Sequence, residues 1–268
     1  MHLVVDVGNT ETMMGLFRPG EIEPLASWRY STRVPRTADE LLHLVRAFLR
    51  EDGFADSEVE RTVVGSVVPA QTELLRRVLS SIGRGTVLVV EHGSPIPIRL
   101  DVEEPRTVGA DRIVNTLAAA RLFRKDTIVV DLGTATTFDC ITFDGVFVGG
   151  VISPGLQAGQ DWLTRQTAKL PGVELRPPER VIGRRTETCL QSGIFYSAVD
   201  AVDVIVDRIR AEWDRRDAFV VATGGFAEVV ARHSRTVEEA VPYLTLVGLE
   251  LAGRYMAGDP DPGLHSEA

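Results

Sequence analysis

The sequence contains the same short phrase twice, about half the chain apart. VVDVGNT occupies positions 4–10 and VVDLGTAT occupies positions 129–136. In each copy an apolar run ends on a carboxylate, a glycine turn follows, and hydroxyl-bearing residues lead into a second run with strand character. Buried strands seldom end twice in the same polar phrase. The repetition therefore predicts two related halves that face each other across a cleft.

The residues of the repeated turn favour a nucleotide-phosphate site. Glycine lets the backbone approach a ligand closely, and the amides and hydroxyls of such a turn donate hydrogen bonds to anionic oxygens. A carboxylate at the strand tip can hold hydrated Mg²⁺ or another cation beside them. The alternative is a tight turn whose Asx and Thr side chains only cap backbone groups. Thr134, Thr136 and Thr137 are more hydroxyls than that alternative needs.

Hydrophobic periodicity gives a similar order of elements in both halves. The first half has predicted strands at 3–8, 12–18, 22–30, 61–68 and 86–90, and helices at 37–49, 70–82 and 109–123. The second half has predicted strands at 127–131, 136–143, 146–152 and 219–222, a helix from about Pro154, a long connection at 168–185, a long helix through 190–213 and a closing helix at 244–256. This order predicts an α/β fold. We place the halves at 1–118 and 119–257, followed by a flexible tail at 258–268 that is rich in Pro, Gly and Asp.

Charge and composition exclude several classes of function. The formal net charge of −9 argues against an extended nucleic-acid footprint. The two cysteines, Cys140 and Cys189, form no CxxC pair, which fits a reducing compartment. No secretory leader is recognisable and no apolar run approaches 18 residues, so we predict a cytoplasmic protein with no membrane segment. The five histidines show no ligand spacing.

Other local patterns leave two interpretations open. GADR at 109–112 opens a predicted helix, where an acid is favourable with the helix dipole in any protein. Alternatively, Asp111 takes a proton from a substrate hydroxyl and Arg112 grips a substrate carboxylate. TGG at 223–225 and GGVISPG at 149–155 either bring backbone to a ligand or only shape a turn. The sequence contains no P-loop, GxGxxG, HExxH or GxSxG motif.

Taken together, these residues resemble the type III pantothenate kinases, which belong to the superfamily of acetate kinase, sugar kinases, heat-shock 70 and actin. The resemblance runs from Asp6 to about Arg254. The motifs that carry it are DVGNT at 6–10, SVVP at 66–69, GADRIVN at 109–115, DLGTATT at 131–137, GGVISPG at 149–155, AKLP at 168–171, QSGI at 191–194, ATGG at 222–225 and LTLVGLEL at 244–251. GADR combined with DLGTATT is far more specific than the superfamily's DxG phosphate motif alone.

The resemblance implies duplicated actin-like (ribonuclease H-like) halves with an interdomain nucleotide cleft. It also implies a cytoplasmic homodimer that phosphorylates pantothenate with ATP, the first step of coenzyme A biosynthesis. Its cofactors would be Mg²⁺, held by Asp6 through water, and a monovalent cation, K⁺ or NH₄⁺, held by Asp131. Asp111 would be the catalytic base. The residues implied to bind ATP are Asp6, Val7, Gly8, Asn9, Thr10, Glu11, Thr12, Met13 and Thr134. Those implied to bind pantothenate are Val102, Gly109, Ala110, Asp111, Arg112 and Thr186.

Three positions depart from the family's usual pattern. Val102 replaces a tyrosine that lines the pantothenate pocket, and GRRT at 183–186 replaces GKNT, which puts Arg185 beside Thr186. Val247 replaces a lysine of the last helix. Because these changes affect the acceptor side, two alternatives remain: a kinase of another small hydroxy acid, and a non-catalytic nucleotide-binding regulator. The presence of Asp6, Asp111 and Asp131 disfavours the regulator.

Overall fold

The computed structural model describes residues 1–167 and 169–259 and divides the chain into two compact units. The first unit comprises Met1–Leu122 and the segment that begins at Tyr243, and the second comprises Phe123–Pro242. The sequence halves were drawn between 118 and 119 and assigned the last helix to the second half, whereas this helix belongs to the first compact unit. Most of the predicted flexible tail, 260–268, and the first residue of AKLP lie outside the described residues.

The first unit is a five-stranded sheet with helices on both faces. Its elements are β1 His2–Val7, β2 Glu11–Phe17, β3 Ala26–Ser31, α1 Ala38–Glu51, β4 Arg61–Ser66, α2 Pro69–Leu79, β5 Val87–Val90, β6 Arg99–Leu100, α3 Ala110–Leu122 and the C-terminal α7 Leu244–Ala257. The sheet order is β3-β2-β1-β4-β5, and the two-residue strand β6 is not part of this sheet. Strands β1 to β3 are antiparallel neighbours, while β4 is parallel to both β1 and β5.

The second unit repeats this arrangement. Its elements are β7 Thr127–Leu132, β8 Ala135–Ile141, β9 Val146–Pro154, α4 Leu156–Gln166, α5 Thr186–Glu212, β10 Phe219–Thr223, α6 Ala227–Ala231 and β11 Glu239–Ala240. The strand order β9-β8-β7-β10-β11 matches that of the first unit, with an antiparallel meander followed by parallel neighbours. The duplication inferred from the repeated phrase is therefore confirmed at the level of topology.

Alternation along β1 and β4 explains how one sheet supports two layers of helices. Val5 and Val64 pack in a core with residues of α1 and α2, whereas Val4 and Val63 pack in a second core with residues of α3 and α7. Successive side chains of a strand point to opposite faces, so a strand covered on both faces is apolar throughout. Because both faces of β1 are buried, the run Leu3-Val4-Val5 before Asp6 is continuously hydrophobic.

The long helix α5 is the one described helix whose length and apolar composition match a membrane span. Its apolar face packs in the core of the second unit, where Phe195, Val199, Val202 and Val206 are buried. Core helices of globular proteins share this composition, so packing accounts for the apolar residues of α5.

Candidate active site

The first repeated turn follows β1 and is closed by a glycine. Gly8 N–H donates to the Glu11 carbonyl at 3.0 Å, and a Cβ at Gly8 would lie only 2.9 Å from the same oxygen. A side chain at this position would push the turn open. Asp6, one residue before the end of β1, is half-buried and lies opposite Met13 in the β1–β2 ladder. The turn therefore starts from a carboxylate at the carboxyl end of a central strand.

The start of α3 lies at the same edge of this sheet. Asp6 pairs with Gly65 of β4, and a Cβ at Gly65 would lie 3.6 Å from the Ala110 Cβ. A Cβ at Gly109 would collide with Asp111 Oδ1, so glycine is the residue that leaves room for the carboxylate. Within the first unit, the structure thus brings GADR next to the strand pair that carries Asp6.

The carboxylate of Asp111 is oriented by the helix it opens. Its Oδ1 accepts a hydrogen bond from the backbone N–H of Arg112 at 2.8 Å. This N–H belongs to the first turn of α3, whose amides have no partner in the helical ladder. An anionic side chain is also favourable at a helix N-terminus. Both effects keep Asp111 half-exposed at the sheet edge, with its orientation fixed.

The second repeated turn has the same design and is approached by two other glycine motifs. Gly133 N–H donates to the Ala135 carbonyl at 3.1 Å, and Gly155 N–H donates to the Thr134 carbonyl at 3.3 Å. A Cβ at Gly155 would lie 2.5 Å from the Gly133 oxygen. Gly155, the last residue of GGVISPG, is thus needed for the chain to reach the DLGTATT turn. From sequence alone, this motif had two possible roles, contact with a ligand or the shaping of a turn.

Gly224 of the TGG motif approaches the same turn from the end of β10. It has a φ of 89°, and a Cβ there would lie 2.7 Å from Asp131 Oδ1 and 2.9 Å from the Leu132 carbonyl oxygen. Carboxylate and carbonyl oxygens are donors that hard cations prefer. No group of three or more His, Cys, Asp or Glu residues in the described part of the chain could hold a metal ion by itself.

The two remaining predicted substrate residues, Val102 and Thr186, and the departures Arg185 and Val247 differ widely in exposure. Val102 is half-buried between β6 and α3, and Thr186 is the exposed first residue of α5. The Arg185 side chain is 75% exposed and lies 3.7 Å from the Glu187 carboxylate. An exposed pair of this kind contributes little to stability. Val247 is buried in the core that contains residues of α3 and α7.

Sequence inspection missed two residues that shape turns at the carboxyl ends of β1 and β4. Thr32 donates its backbone N–H to the Thr10 carbonyl at 2.9 Å, and its hydroxyl lies 2.8 Å from the Thr12 hydroxyl. The Ser66 hydroxyl accepts from Val68 N–H at 3.0 Å and shapes the SVVP turn after β4. The SVVP motif could have identified Ser66, whereas nothing local to Thr32 distinguishes it from other hairpin residues.

The fold defines a class of protein. Similar solved structures include a conserved protein of Campylobacter jejuni assigned to the Baf family of transcriptional activators (TM-score 0.57, 16% identity, 93% of this chain and 96% of that chain covered). Another is the activator of the 2-hydroxyisocaproyl-CoA dehydratase from Clostridium difficile with bound ADPNP (TM-score 0.53, 14% identity, 95% and 93% covered). The two-sheet α/β architecture is that of the actin-like ATPase and sugar kinase fold.

Sequence comparisons narrow the class to one family. The family model for type III pantothenate kinase matches residues 2–208. Type III pantothenate kinases of Frankia casuarinae and Syntrophotalea carbinolica are 44% and 42% identical to this chain. Each alignment covers 94% of this chain, together with 98% of the Frankia protein and 97% of the Syntrophotalea protein. The chain belongs to the type III pantothenate kinase family.

Proposed function

We infer that this protein is an ATP-dependent pantothenate kinase that forms 4′-phosphopantothenate, the first step of coenzyme A biosynthesis. Family membership over nearly the whole chain supports the reaction. The observation that carries the assignment to residues is the shared sheet edge in the first unit. There Asp6 pairs with Gly65 of β4, and a Cβ at the same glycine would lie 3.6 Å from the Cβ of Ala110, the residue next to Asp111.

In the proposed reaction, Asp111 is the catalytic base. Its carboxylate accepts the proton of the pantothenate hydroxyl as the hydroxyl oxygen attacks the γ-phosphorus of ATP, and the bond to the β,γ-bridging oxygen breaks to release ADP. The hydrogen bond from Arg112 N–H supports this role because it fixes the orientation of Oδ1. Phosphoryl transfer depends mainly on such positioning and on neutralising charge.

Substrate contacts divide between the turns and the helix starts. The proposed ATP-binding residues are those of the Asp6–Met13 segment, together with Thr134 in the second turn. Arg112 binds the pantothenate carboxylate, since its planar guanidinium matches a carboxylate bidentately. Gly109, Ala110, Val102 and Thr186 complete the pantothenate contacts in this proposal.

The donor atoms at the two strand tips fit the proposed cations. The Asp131 carboxylate and the Leu132 carbonyl both approach Gly224, which gives a monovalent cation such as K⁺ or NH₄⁺ oxygen donors from one turn. Asp6 offers a single carboxylate, which suits Mg²⁺ because this ion keeps several waters and binds substrate phosphates. When bound, the cations neutralise charge on the phosphates.

We further propose that the enzyme is a cytoplasmic homodimer. Several large apolar side chains of the second unit are exposed, among them Trp162 at 63% and Ile182 at 82%. Trp162 also lines a cavity of about 450 Å³ bounded by residues of α4, α5, β8 and β9. Exposed apolar surface of this kind is typical of protein interfaces. Cys140 and Cys189 form no disulfide with each other, which suits a reducing compartment.

A coupled ADP-release assay with and without pantothenate tests the proposed function. We expect ADP release that requires both ATP and pantothenate, with phosphopantothenate identified by mass spectrometry. If only another small hydroxy acid stimulates ADP release, the protein is a kinase but pantothenate is not its acceptor. Nucleotide binding without any acceptor-dependent release would favour a regulator on this fold.

A further inference from the structure

The segment between β3 and α1 is fastened to the turn that follows β1. The β2–β3 ladder ends at the pair of Glu11 and Ser31, and Thr32 extends the contact by one residue. Thr32 N–H donates to the Thr10 carbonyl, and the Thr32 and Thr12 hydroxyls hydrogen bond to each other. Residues 10–12 are therefore held from outside the repeated motif, through both backbone and side chain.

The segment that carries Thr32 is itself restrained. Arg36 Nη1 donates to the Ser31 carbonyl at 2.8 Å and to the Val34 carbonyl at 3.2 Å. The same guanidinium lies over the Tyr30 ring, 5.0 Å from its centroid. Thr37 then begins α1 with a capping box formed with Glu40. Restraints on both sides of Thr32 make it a fixed anchor for the turn.

The two contacts of Thr32 constrain different parts of the turn. The peptide bond between Thr10 and Glu11 is planar, so holding the Thr10 carbonyl also sets the direction of the Glu11 N–H. Thr12 is 1% exposed, and a buried hydroxyl needs a hydrogen-bond partner. Thr32 supplies one such partner at 2.8 Å, and this contact favours one rotamer of the Thr12 side chain.

We propose that Thr32 is a positioning residue for the nucleotide: it holds residues 10–12 in the conformation that binds the ATP phosphates without touching ATP. This inference rests on the proposed function, which assigns those residues to ATP. A turn that is already ordered loses less conformational freedom when its ligand binds, so the anchor increases nucleotide affinity. Pantothenate binding does not depend on it.

The test compares Thr32→Val, which removes the hydroxyl at nearly constant shape, with Thr32→Ser, which keeps it. We expect Thr32→Val to raise both the KM for MgATP and the calorimetric Kd for Mg²⁺ and the non-hydrolysable analogue ADPNP about three- to tenfold, the usual effect of one hydrogen bond. The KM for pantothenate stays within about twofold, and Thr32→Ser restores wild-type values. Thr32→Ala replaces Thr32→Val if the valine variant does not fold.

Ser27→Ala is the matched control. Ser27 lies on β3, the strand that precedes Thr32, and its hydroxyl donates to the Tyr243 hydroxyl at 3.3 Å, away from the turn. It should leave both ATP constants unchanged even if it lowers the melting temperature. If Thr32→Val lowers the melting temperature but not nucleotide affinity, Thr32 is merely structural and the proposal fails. Equal losses in Thr32→Ser and Thr32→Val would also overturn it, because the hydroxyl would then be irrelevant.

A double-mutant cycle with Thr12→Val asks whether the two hydroxyls act as one unit. The proposal requires the double variant to bind ADPNP no more weakly than the weaker single variant, and additive losses would contradict it. Because ADPNP binding needs no acceptor, the result is independent of the substrate assignment. If Thr32→Val weakens ADPNP binding but the wild-type protein does not phosphorylate pantothenate, the proposed function is rejected while the positioning role of Thr32 is supported.

Discussion

Asp111, the proposed catalytic base, has two structural properties that suit this role. Its Oδ1 is fixed by Arg112 N–H, and Gly109 leaves the space that Oδ1 occupies. A base that is already oriented spends no binding energy on ordering itself. The N-terminus of α3 also stabilises the negative charge of Asp111. Asparagine removes this charge while it keeps the shape of the side chain, so Asp111→Asn is the cleanest test of the role of the carboxylate.

We predict that Asp111→Asn lowers kcat by about 10²- to 10⁴-fold, the usual size of a general-base contribution. The amide retains the shape of the carboxylate and an oxygen for Arg112 N–H, so the fold and ADPNP affinity should stay close to wild type. Steady-state kinetics, calorimetry and the melting temperature check the three expectations. Activity within a few-fold of wild type would remove Asp111 from the mechanism.

At Asp131 we predict a requirement for a monovalent cation in addition to Mg²⁺. The Asp131 carboxylate and the Leu132 carbonyl approach the same glycine, and such oxygens bind hard cations. Turnover should fall when K⁺ is replaced by a bulky organic cation at constant ionic strength. Asp131→Asn should reduce this dependence while Mg²⁺ is still required. Unchanged turnover after cation replacement would contradict a monovalent-cation site at Asp131. Asp131 would then either bind Mg²⁺ or have a structural role.

At the scale of elements, glycines determine how closely α7 packs in the first unit. A Cβ at Gly248 would overlap the Val114 carbonyl of α3, and a Cβ at Gly253 would overlap the Val63 side chain of β4. A carbonyl inside a helix cannot move aside without breaking the helix, whereas a side chain can change rotamer. The close crossing of α3 and α7 therefore depends on Gly248 more than on Gly253.

We predict that Gly248→Ala destabilises the protein by about 1–3 kcal/mol, the usual effect of overpacking a core. Thermal unfolding monitored by circular dichroism measures the change. Gly193→Ala in α5 is the control, because a Cβ there meets no atom within 4 Å and alanine favours the helix. The control should unfold at the wild-type temperature or above. Equal destabilisation of both variants would contradict this account of the α3–α7 crossing.

A second inter-element contact joins α5 to the loop before β11 through Asp203. Burial by itself raises the pKa of the Asp203 carboxyl, but hydrogen bonds from Ser234, Thr236 and the Arg235 backbone outweigh it and hold the pKa below its usual value. The unfolded chain then binds the proton more readily than the folded one does. The stabilisation is complete above the unfolded pKa of about 4 and is lost as the pH falls through the lower native pKa.

We therefore predict that Asp203→Asn lowers the free energy of unfolding by about 1.5–3 kcal/mol at pH 7, the range for hydrogen bonds to a charged group. The difference from wild type should shrink as the pH is lowered below about 4. Urea unfolding at pH 7, 5 and 3.5 measures it. A difference that is constant across this series would mean that the carboxylate charge does not contribute.

The elements were predictable from sequence to different degrees for identifiable reasons. The strand–turn–strand units were predictable because buried central strands give long apolar runs that end in polar turns. The two-residue strands β6 and β11 were missed, since two residues show no periodicity. The helix predicted from Pro154 begins instead at Leu156, because Pro154 is the last residue of β9.

The candidate site was predictable only where its contacts are local. Asp6, Asp111 and Asp131 could be predicted as site residues because each lies in a short motif at the end of a strand or the start of a helix. The approach of Gly155 and Gly224 to the DLGTATT turn is a contact between distant residues, so their motifs remained ambiguous. Thr32 meets Thr12 across a hairpin and carries no local signal at all.

At the scale of the whole molecule, the chain contains a duplication whose two units do not coincide with two consecutive halves of the sequence. Both units share one sheet topology, yet α7, the last helix in sequence, packs in the first unit. Nine residues of α7 are buried, and all of them except Glu250 are apolar or glycine. This composition indicates a core helix but not which core it joins. Sequence position alone therefore assigned it to the neighbouring half.

Finally, we predict that the wild-type protein sediments as a dimer at micromolar concentration and that Trp162→Glu shifts it to monomer. A charge in place of an exposed tryptophan would have to be desolvated when two copies associate, at considerable cost. Phe143→Glu is the matched control: Phe143 is 64% exposed and lies in the turn between β8 and β9, the opposite end of this hairpin from α4. The control should remain dimeric, and both variants should keep the wild-type melting temperature when diluted to monomer. A monomeric wild type would reject the dimer, whereas a dimeric Trp162→Glu would place the interface elsewhere on the protein.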